Sequence, residues 1–190
     1  LAAYASLLRA DDGALTEVFT RHQEMNAILS TLQMPRDIET YNEIVHLLHH
    51  YHYDSLTIQS PKSFIQFDPI TYSGISSHTE AIVLTDKGEF RMKFYQNECP
   101  RTVEHMIRLI QSGYFDGKAF HRFVPNFVDQ TGCPRGDGYG GLDQAMASEF
   151  TPLSYDEAGR LGMASIGPDT ESCQWFITLM PTWHLDGRYT

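Results

Sequence analysis

The stretch Phe120-His121-Arg122-Phe123-Val124-Pro125-Asn126-Phe127-Val128-Asp129-Gln130 decides the reading of this chain. It sets one permanent cation, Arg122, within an apolar run and follows it with an amide donor, Gln130. A guanidinium buried among Phe and Val is unfavourable unless a partner meets it. Side chains alternate along a strand, so Arg122 and Gln130, being of equal parity, can share one surface.

Further motifs follow in order: Gly162-Met163-Ala164-Ser165, then Gln174-Trp175-Phe176-Ile177-Thr178, then Leu185-Asp186-Gly187-Arg188-Tyr189. Together they resemble the cyclophilins, the peptidyl-prolyl cis-trans isomerases, over a span from Ile82 to Thr190. The resemblance implies an eight-stranded antiparallel β-barrel with a helix closing each mouth, and an enzyme that turns Xaa-Pro bonds to assist protein folding. Its partners would be proline-containing peptides or unfolded proteins.

Such a catalyst needs no nucleophile, metal or cofactor. It must favour the twisted amide, in which the prolyl nitrogen regains a lone pair. A dry apolar pocket for the ring and a fixed donor aimed at that nitrogen suffice. Arg122 is a donor that does not deprotonate. Phe127, Val128, Phe176 and Leu185 offer a pocket, and Gln130 offers a bond to the substrate backbone. The resemblance assigns the same parts: Arg122 as the catalytic donor beside Gln130 and Phe127, Met163-Ala164-Ser165 as a clamp on the substrate, and Gln174 beside Phe176. His184, Leu185 and Tyr189 complete the binding set. His121 looks like a general base, but the reaction needs none, so a structural histidine is the expectation.

Departures from the family pattern are local. Val128 stands where a Met is common, Ser165 where the clamp has Asn, Tyr189 where the pocket has His, and His184 where a Trp often contacts cyclosporin. Retained isomerase activity and weakened cyclosporin binding are expected.

Composition narrows the alternatives. A net charge of −10, from 14 Lys+Arg against 24 Asp+Glu, argues against nucleic-acid binding, which relies on phosphate neutralisation. No run of ~20 apolar residues is present to span a membrane. Cys99, Cys133 and Cys173 are widely spaced and show neither CxxC nor zinc spacing. Buried or semi-buried thiols are the expectation, with one disulfide left open.

The organisation reads as mainly β with helices. Residues 1–55 form a helical extension, 56–79 a linker, and 80–190 a cyclophilin-like domain. The barrel is expected to lack its last strands, since Thr190 falls where another strand should follow. In the extension, Leu15, Val18, Phe19, Met25, Ile28, Leu29 and Leu32 recur at helical spacing. Residues 2–8 read as the tail of an earlier helix. Pro35 breaks the pattern, and Asp37 is placed to cap a second helix with Ile38, Tyr41, Ile44, Val45, Leu48 and Tyr51 on one face. This αα-hairpin suits either one unit of a repeat array or a plain extension packed on its neighbour. Phe64, Ile65 and Phe67 should anchor the linker. Ile82-Val83-Leu84, the turn Asp86-Lys87-Gly88, and alternating Phe90, Met92 and Phe94 predict a hairpin. Pro100 opens a helix with Val103, Met106, Ile107 and Ile110 inward, and Gly113 ends it.

Two motifs invite other readings. His46 and His50 have the i, i+4 spacing that can hold zinc, but only Glu43 and Asp54 lie near to join them. Solvated or packing histidines are expected. Gly136-Asp137-Gly138-Tyr139-Gly140-Gly141 lacks the Lys and the strand-to-helix setting of a phosphate loop. Besides the isomerase, a peptide-binding module without turnover and a scaffold centred on the helices are the alternatives. Intact Arg122 favours the isomerase.

Overall fold

Alternation builds the first sheet. β1 (Glu80–Thr85) pairs antiparallel with β2 (Gly88–Lys93), from Glu80 opposite Lys93 to Thr85 opposite Gly88. Only Asp86 and Lys87 lie between the paired ends, and Gly88 leaves the turn at φ 137, a conformation open to glycine. Ala81, Val83, Phe90, Met92 and Phe94 turn inward, whereas Ile82 and Leu84 face out.

The structure, a computed structural model, describes residues 22–34, 37–50, 56–59 and 64–190. The second sheet has the order β3 (Arg122–Val124), β4 (Val128–Thr131), β6 (Trp175–Thr178), β5 (Leu161–Met163), all antiparallel. Among the described residues the two sheets stay separate and do not close into a barrel. A methionine-rich core packs between them, with Met92, Met106, Met146, Met163 and Trp175 buried. Phe115 and Phe120 meet Trp175 edge-on at 6.2 and 5.8 Å, the favoured arrangement for aromatic pairs.

α4 (Pro100–Gln111) supplies Met106 and Ile110 to this core. Pro100 sits in its first turn, where a missing N–H costs nothing. Cys99 precedes it without capping it through its side chain. The cap comes from far along the chain. The Glu149 carboxylate accepts from Arg101 N at 3.1 Å, Thr102 N at 2.7 Å and Thr102 Oγ1 at 2.8 Å. A carboxylate there satisfies free donors and meets the positive end of the helix dipole.

Before the sheets lie α1 (His22–Thr31), α2 (Ile38–His50) and a short α3 (Pro69–Ser73). Ile28, Leu29 and Leu32 pack on Ile44 and Leu48 of α2, and Leu56 joins them. This is the expected helical hairpin. Residues 2–8, Leu15, Val18, Phe19, Pro35, Tyr51, His52, Asp54 and 60–63 fall outside the described residues. Asp37 departs from the simple cap expected of it. Its carbonyl accepts the first intrahelical bond, from Tyr41 N, but its carboxylate turns back to Gln33 N at 2.9 Å and across to Arg135 at 3.2 Å. A nearby guanidinium outcompetes the helix donors for the charge. In the segment read as a linker, Ile65 N donates to Ala145 O and the Ile65 side chain packs on the core. Asp68 caps α3 by accepting from Ile70 N. All three cysteines are free.

Two outcomes follow from this packing. Glu149→Ala should lower unfolding stability by about 1–2 kcal/mol in urea titration, as the end of α4 loses its acceptor. His105, 4% exposed, meets Ser172 O through Nε2 at 2.6 Å. Burial holds its imidazole below the usual value, with Arg108 adding to the effect. The fold therefore prefers neutral His105. Its contribution is complete above the unfolded value of about 6.5 and is lost as pH falls through 6.5 toward the lower folded value. Urea unfolding at pH 7 and pH 5 should show a smaller loss on acidification in His105→Gln than in the unaltered chain.

Candidate active site

The hairpin β3–β4 places Arg122 directly opposite Gln130, and β6 places Phe176 on the other side of Gln130. Three adjacent strands thus present a cation, an amide and an aromatic ring in one row on one face. The connecting turn runs through Pro125 and Asn126, with Phe127 N donating to Val124 O at 3.1 Å and Asn126 at φ 57. Pro in the second position and Asn at positive φ in the third are the residues such a turn selects. The turn projects Phe127 toward the same face.

A chain of side-chain amides holds the row in place. Gln174 donates both of its Nε2 hydrogens, to Gly138 O at 2.9 Å and Gly140 O at 2.8 Å. Its Oε1 is therefore turned to accept from Gln130 Nε2 at 3.0 Å. Gln130 Oε1 then accepts from Arg122 Nη1 at 3.2 Å. Each amide has only one orientation that satisfies both neighbours. The loop 136–141, which resembles a phosphate cradle in sequence, supplies the carbonyls that anchor this chain.

The apolar part of the site is a second buried cluster of Val128, Tyr155, Phe176 and Leu185, with Phe127, Ala164 and Tyr189 against it. Tyr189 meets Phe176 edge-on at 5.5 Å, and Tyr155 lies behind Phe176 at 5.7 Å. Gly162 makes room for that pair. A Cβ there would come within 2.1 Å of Tyr155 Oη and 2.7 Å of Phe176 Cζ. Asp186 fastens the other wall, accepting from Ser154 Oγ at 2.6 Å and Tyr155 N at 2.8 Å. Those bonds, led by the one from Ser154, hold its carboxyl below the usual range.

A cavity of about 510 Å³ opens over these groups. Of the residues expected at the site, Arg122, Gln130, Phe127, Val128, Ala164, Ser165, Phe176, Leu185 and Tyr189 line it. The other three expected residues, Met163, Gln174 and His184, lie outside the lining. Arg122 is exposed, because β3 is the sheet's edge strand, and Phe123 beside it is 65% exposed. The Met163 side chain faces the core opposite Trp175, since alternation along β5 turns Gly162, not Met163, toward Phe176. Gln174 is 3% exposed behind Gln130, with both N–H groups committed to backbone carbonyls. Exposed His184 stacks on Phe127 at 5.4 Å and lies outside the cavity lining.

His121, Asp137, Tyr139, Ile166 and, from α2, Glu43 line the cavity as well. Burial keeps the His121 imidazole below its usual pKa, in keeping with a structural rather than an acid-base role. Its ring lies against Gly138, where a Cβ would stand 3.4 Å away. Tyr155 was absent from the sequence reading, and Glu43 entered it only as a neighbour of the histidines on the second helix. Gly162 in the Gly-Met-Ala motif signals a close approach such as that of Tyr155; no local signal joins Glu43 to residues so distant along the chain.

Residues 81–190 match the family described as cyclophilin type peptidyl-prolyl cis-trans isomerase/CLD. The chain belongs to the cyclophilin family of peptidyl-prolyl cis-trans isomerases. A peptidyl-prolyl cis-trans isomerase of Synechococcus elongatus is 42% identical over 112 residues, covering 59% of this chain and 77% of the relative. A peptidyl-prolyl cis-trans isomerase-like 1 protein of Rhizopus delemar is 40% identical over 120 residues, covering 61% and 73%. Among solved structures, a Cryptosporidium parvum cyclophilin superposes with a TM-score of 0.57 at 32% identity, covering 58% of this chain and 73% of that one. A second structure of that protein, in the presence of the dipeptide Ala-Pro, gives a TM-score of 0.57 at 31% identity, covering 59% and 75%.

The amide chain can be tested within this cyclophilin. Gln174→Leu strands two carbonyls and the Gln130 amide, and an unmet buried polar group costs about 1–3 kcal/mol. Urea unfolding should show a loss of that size. The Gln130 side-chain NH₂ resonances should move toward those of a freely rotating amide.

Proposed function

We propose that the groove over Arg122 is where this cyclophilin turns Xaa-Pro bonds, with residues 80–190 as the isomerase domain, 56–79 as a linker and 1–55 as a helical extension. Amide resonance sets a rotational barrier of about 18–20 kcal/mol. It falls when the C–N bond loses double-bond character and the prolyl nitrogen becomes pyramidal. A donor aimed at that nitrogen binds the twisted state better than either planar isomer, which is how binding becomes rate.

The roles follow from what each group has left to offer. Phe127, Val128, Phe176, Leu185 and Tyr189 take the proline ring and keep water from it. Arg122 spends one N–H on Gln130 and directs others at the prolyl nitrogen. Gln130 gives one of its amide hydrogens to Gln174, which leaves the second for a substrate carbonyl. Ala164 and Ser165 border the peptide through backbone and hydroxyl. Gln174 and Tyr155 act as positioning residues, and Met163 holds its segment from the core side. His184 braces Phe127 in place of a bulky indole, and weak cyclosporin binding is the corresponding expectation. Proline-containing peptides and unfolded chains are the partners this surface suits.

The observation that carries the reading is the single cavity shared by the Arg122 guanidinium and the apolar cluster around Phe176. The test follows cis–trans exchange of a short Ala-Pro peptide by NMR. Uncatalysed exchange takes tens to hundreds of seconds. The unaltered chain should accelerate it, and Arg122→Ala should lose roughly 10²–10³ of that acceleration, the usual effect of removing one transition-state donor, while still binding the peptide. Equal exchange rates in the two proteins would discard this role for Arg122.

A further inference from the structure

The helical extension does more than pack beside the groove. α2 is tied to the loop that anchors the amide chain. Thr40, 5% exposed, donates Oγ1–H to Tyr139 O at 3.3 Å. Arg135 of the same loop pairs with Asp37 at 3.2 Å and reaches Thr40 Oγ1 at 3.5 Å. On its other side α2 is held by Asn42, 4% exposed, which donates to Gln59 O at 2.9 Å and accepts from Gln59 N at 2.8 Å. Residues three apart lie on one face of a helix, so fixing Thr40 on the loop also fixes Glu43 over the groove. Glu43 lines the same cavity as Arg122, Gln130, Tyr139 and Ser165.

The charges there are unequal in what they can do. Asp137, the other carboxylate on the lining, pairs with Arg135 Nε at 3.3 Å and accepts from Tyr139 N at 2.9 Å, and these contacts hold its carboxyl below the usual range against burial. Among the described residues no ion pair or hydrogen bond takes up the Glu43 carboxylate. It is the groove's uncommitted anion, on a chain whose net charge of −10 already disfavours acidic ligands.

We propose that α2 forms one wall of the substrate groove and that Glu43 makes the enzyme selective for peptides carrying Lys or Arg near the proline. This rests on the groove being the isomerase site. A peptide carboxylate in the same place would meet repulsion from Glu43, while an ammonium or guanidinium would find an unpaired partner there.

The test uses Ala-Pro peptides bearing a single Lys, Gln or Glu two residues from the proline, on either side. Both affinity, by NMR titration, and catalysed exchange are measured on the whole chain. On at least one side, the Lys peptide should exceed the Glu peptide roughly two- to fivefold in affinity and in kcat/KM, the range of a partly exposed charge pair. Salt should compress the ratio. Glu43→Gln should bring it close to one, and Glu43→Lys should invert it. An unchanged Lys-to-Glu ratio in both variants would overturn the proposal, as would a ratio of one at both positions in the unaltered chain. Failure of the isomerase reading has a different mark: no peptide is accelerated, while the affinity ratios still decide the role of Glu43.

Discussion

The site depends on two backbone carbonyls, Gly138 O and Gly140 O, which both accept from one Gln174 amide group. That choice propagates. With its nitrogen fixed on the loop, Gln174 offers only oxygen to Gln130, and Gln130 then offers only oxygen to Arg122. Removal of any member leaves the next half satisfied, and a half-satisfied buried network is worse than none. The loop must therefore hold its shape. Gly138 sits at φ 85, a left-handed conformation with its missing Cβ turned toward the His121 ring. What looks like a phosphate motif in the sequence is a rigid stop for a side-chain chain.

The sheet carries the same logic through its faces. Along β6, Trp175 enters the methionine core while Phe176, one residue on, enters the groove cluster. β5 repeats the pattern, with Met163 opposite Trp175 and Gly162 opposite Phe176. A single antiparallel layer thus separates the methionine core from the groove cluster. The surface can remain apolar because Val128, Phe176 and Leu185 stay almost buried at its floor. The position of Tyr155 behind Phe176 depends on residue 162 having no side chain, so a glycine with ordinary backbone angles is as constrained here as one at positive φ.

Much of this was legible in the sequence because it rests on short-range rules. The hairpin around Asp86-Lys87-Gly88 follows from alternation, the helix after Pro100 from its apolar stripe, and the row Arg122, Gln130, Phe176 from motif order. The parts that escaped are of two kinds. Face assignments failed where a motif spans residues of opposite parity: Met163 and Ala164 are neighbours in the chain, yet one belongs to the core and the other to the groove. Long-range partners were also hidden. Glu149 capping α4 across 47 residues, and α2 reaching the loop at Arg135 across almost a hundred, leave no local pattern to read. The exposure of Arg122 was not readable either. Apolar neighbours in sequence imply burial only on a central strand, and β3 is an edge.

That edge position bears on chemistry. A carboxylate beside Arg122 would have held the guanidinium more tightly than an amide does, but it would also have cancelled the positive charge that the proposed role asks of it. Among the described residues no carboxylate lies within ion-pair distance of Arg122, and its orientation comes from Gln130 alone. A neutral acceptor fixes direction without neutralising charge. The anions of this groove are placed elsewhere: Asp137 is occupied by Arg135, and Glu43 is carried on a separate helix that lines the same cavity. On the proposed reading, a neutral directing group and a charged discriminating group let one small groove hold a transition-state donor and a site for substrate charge side by side.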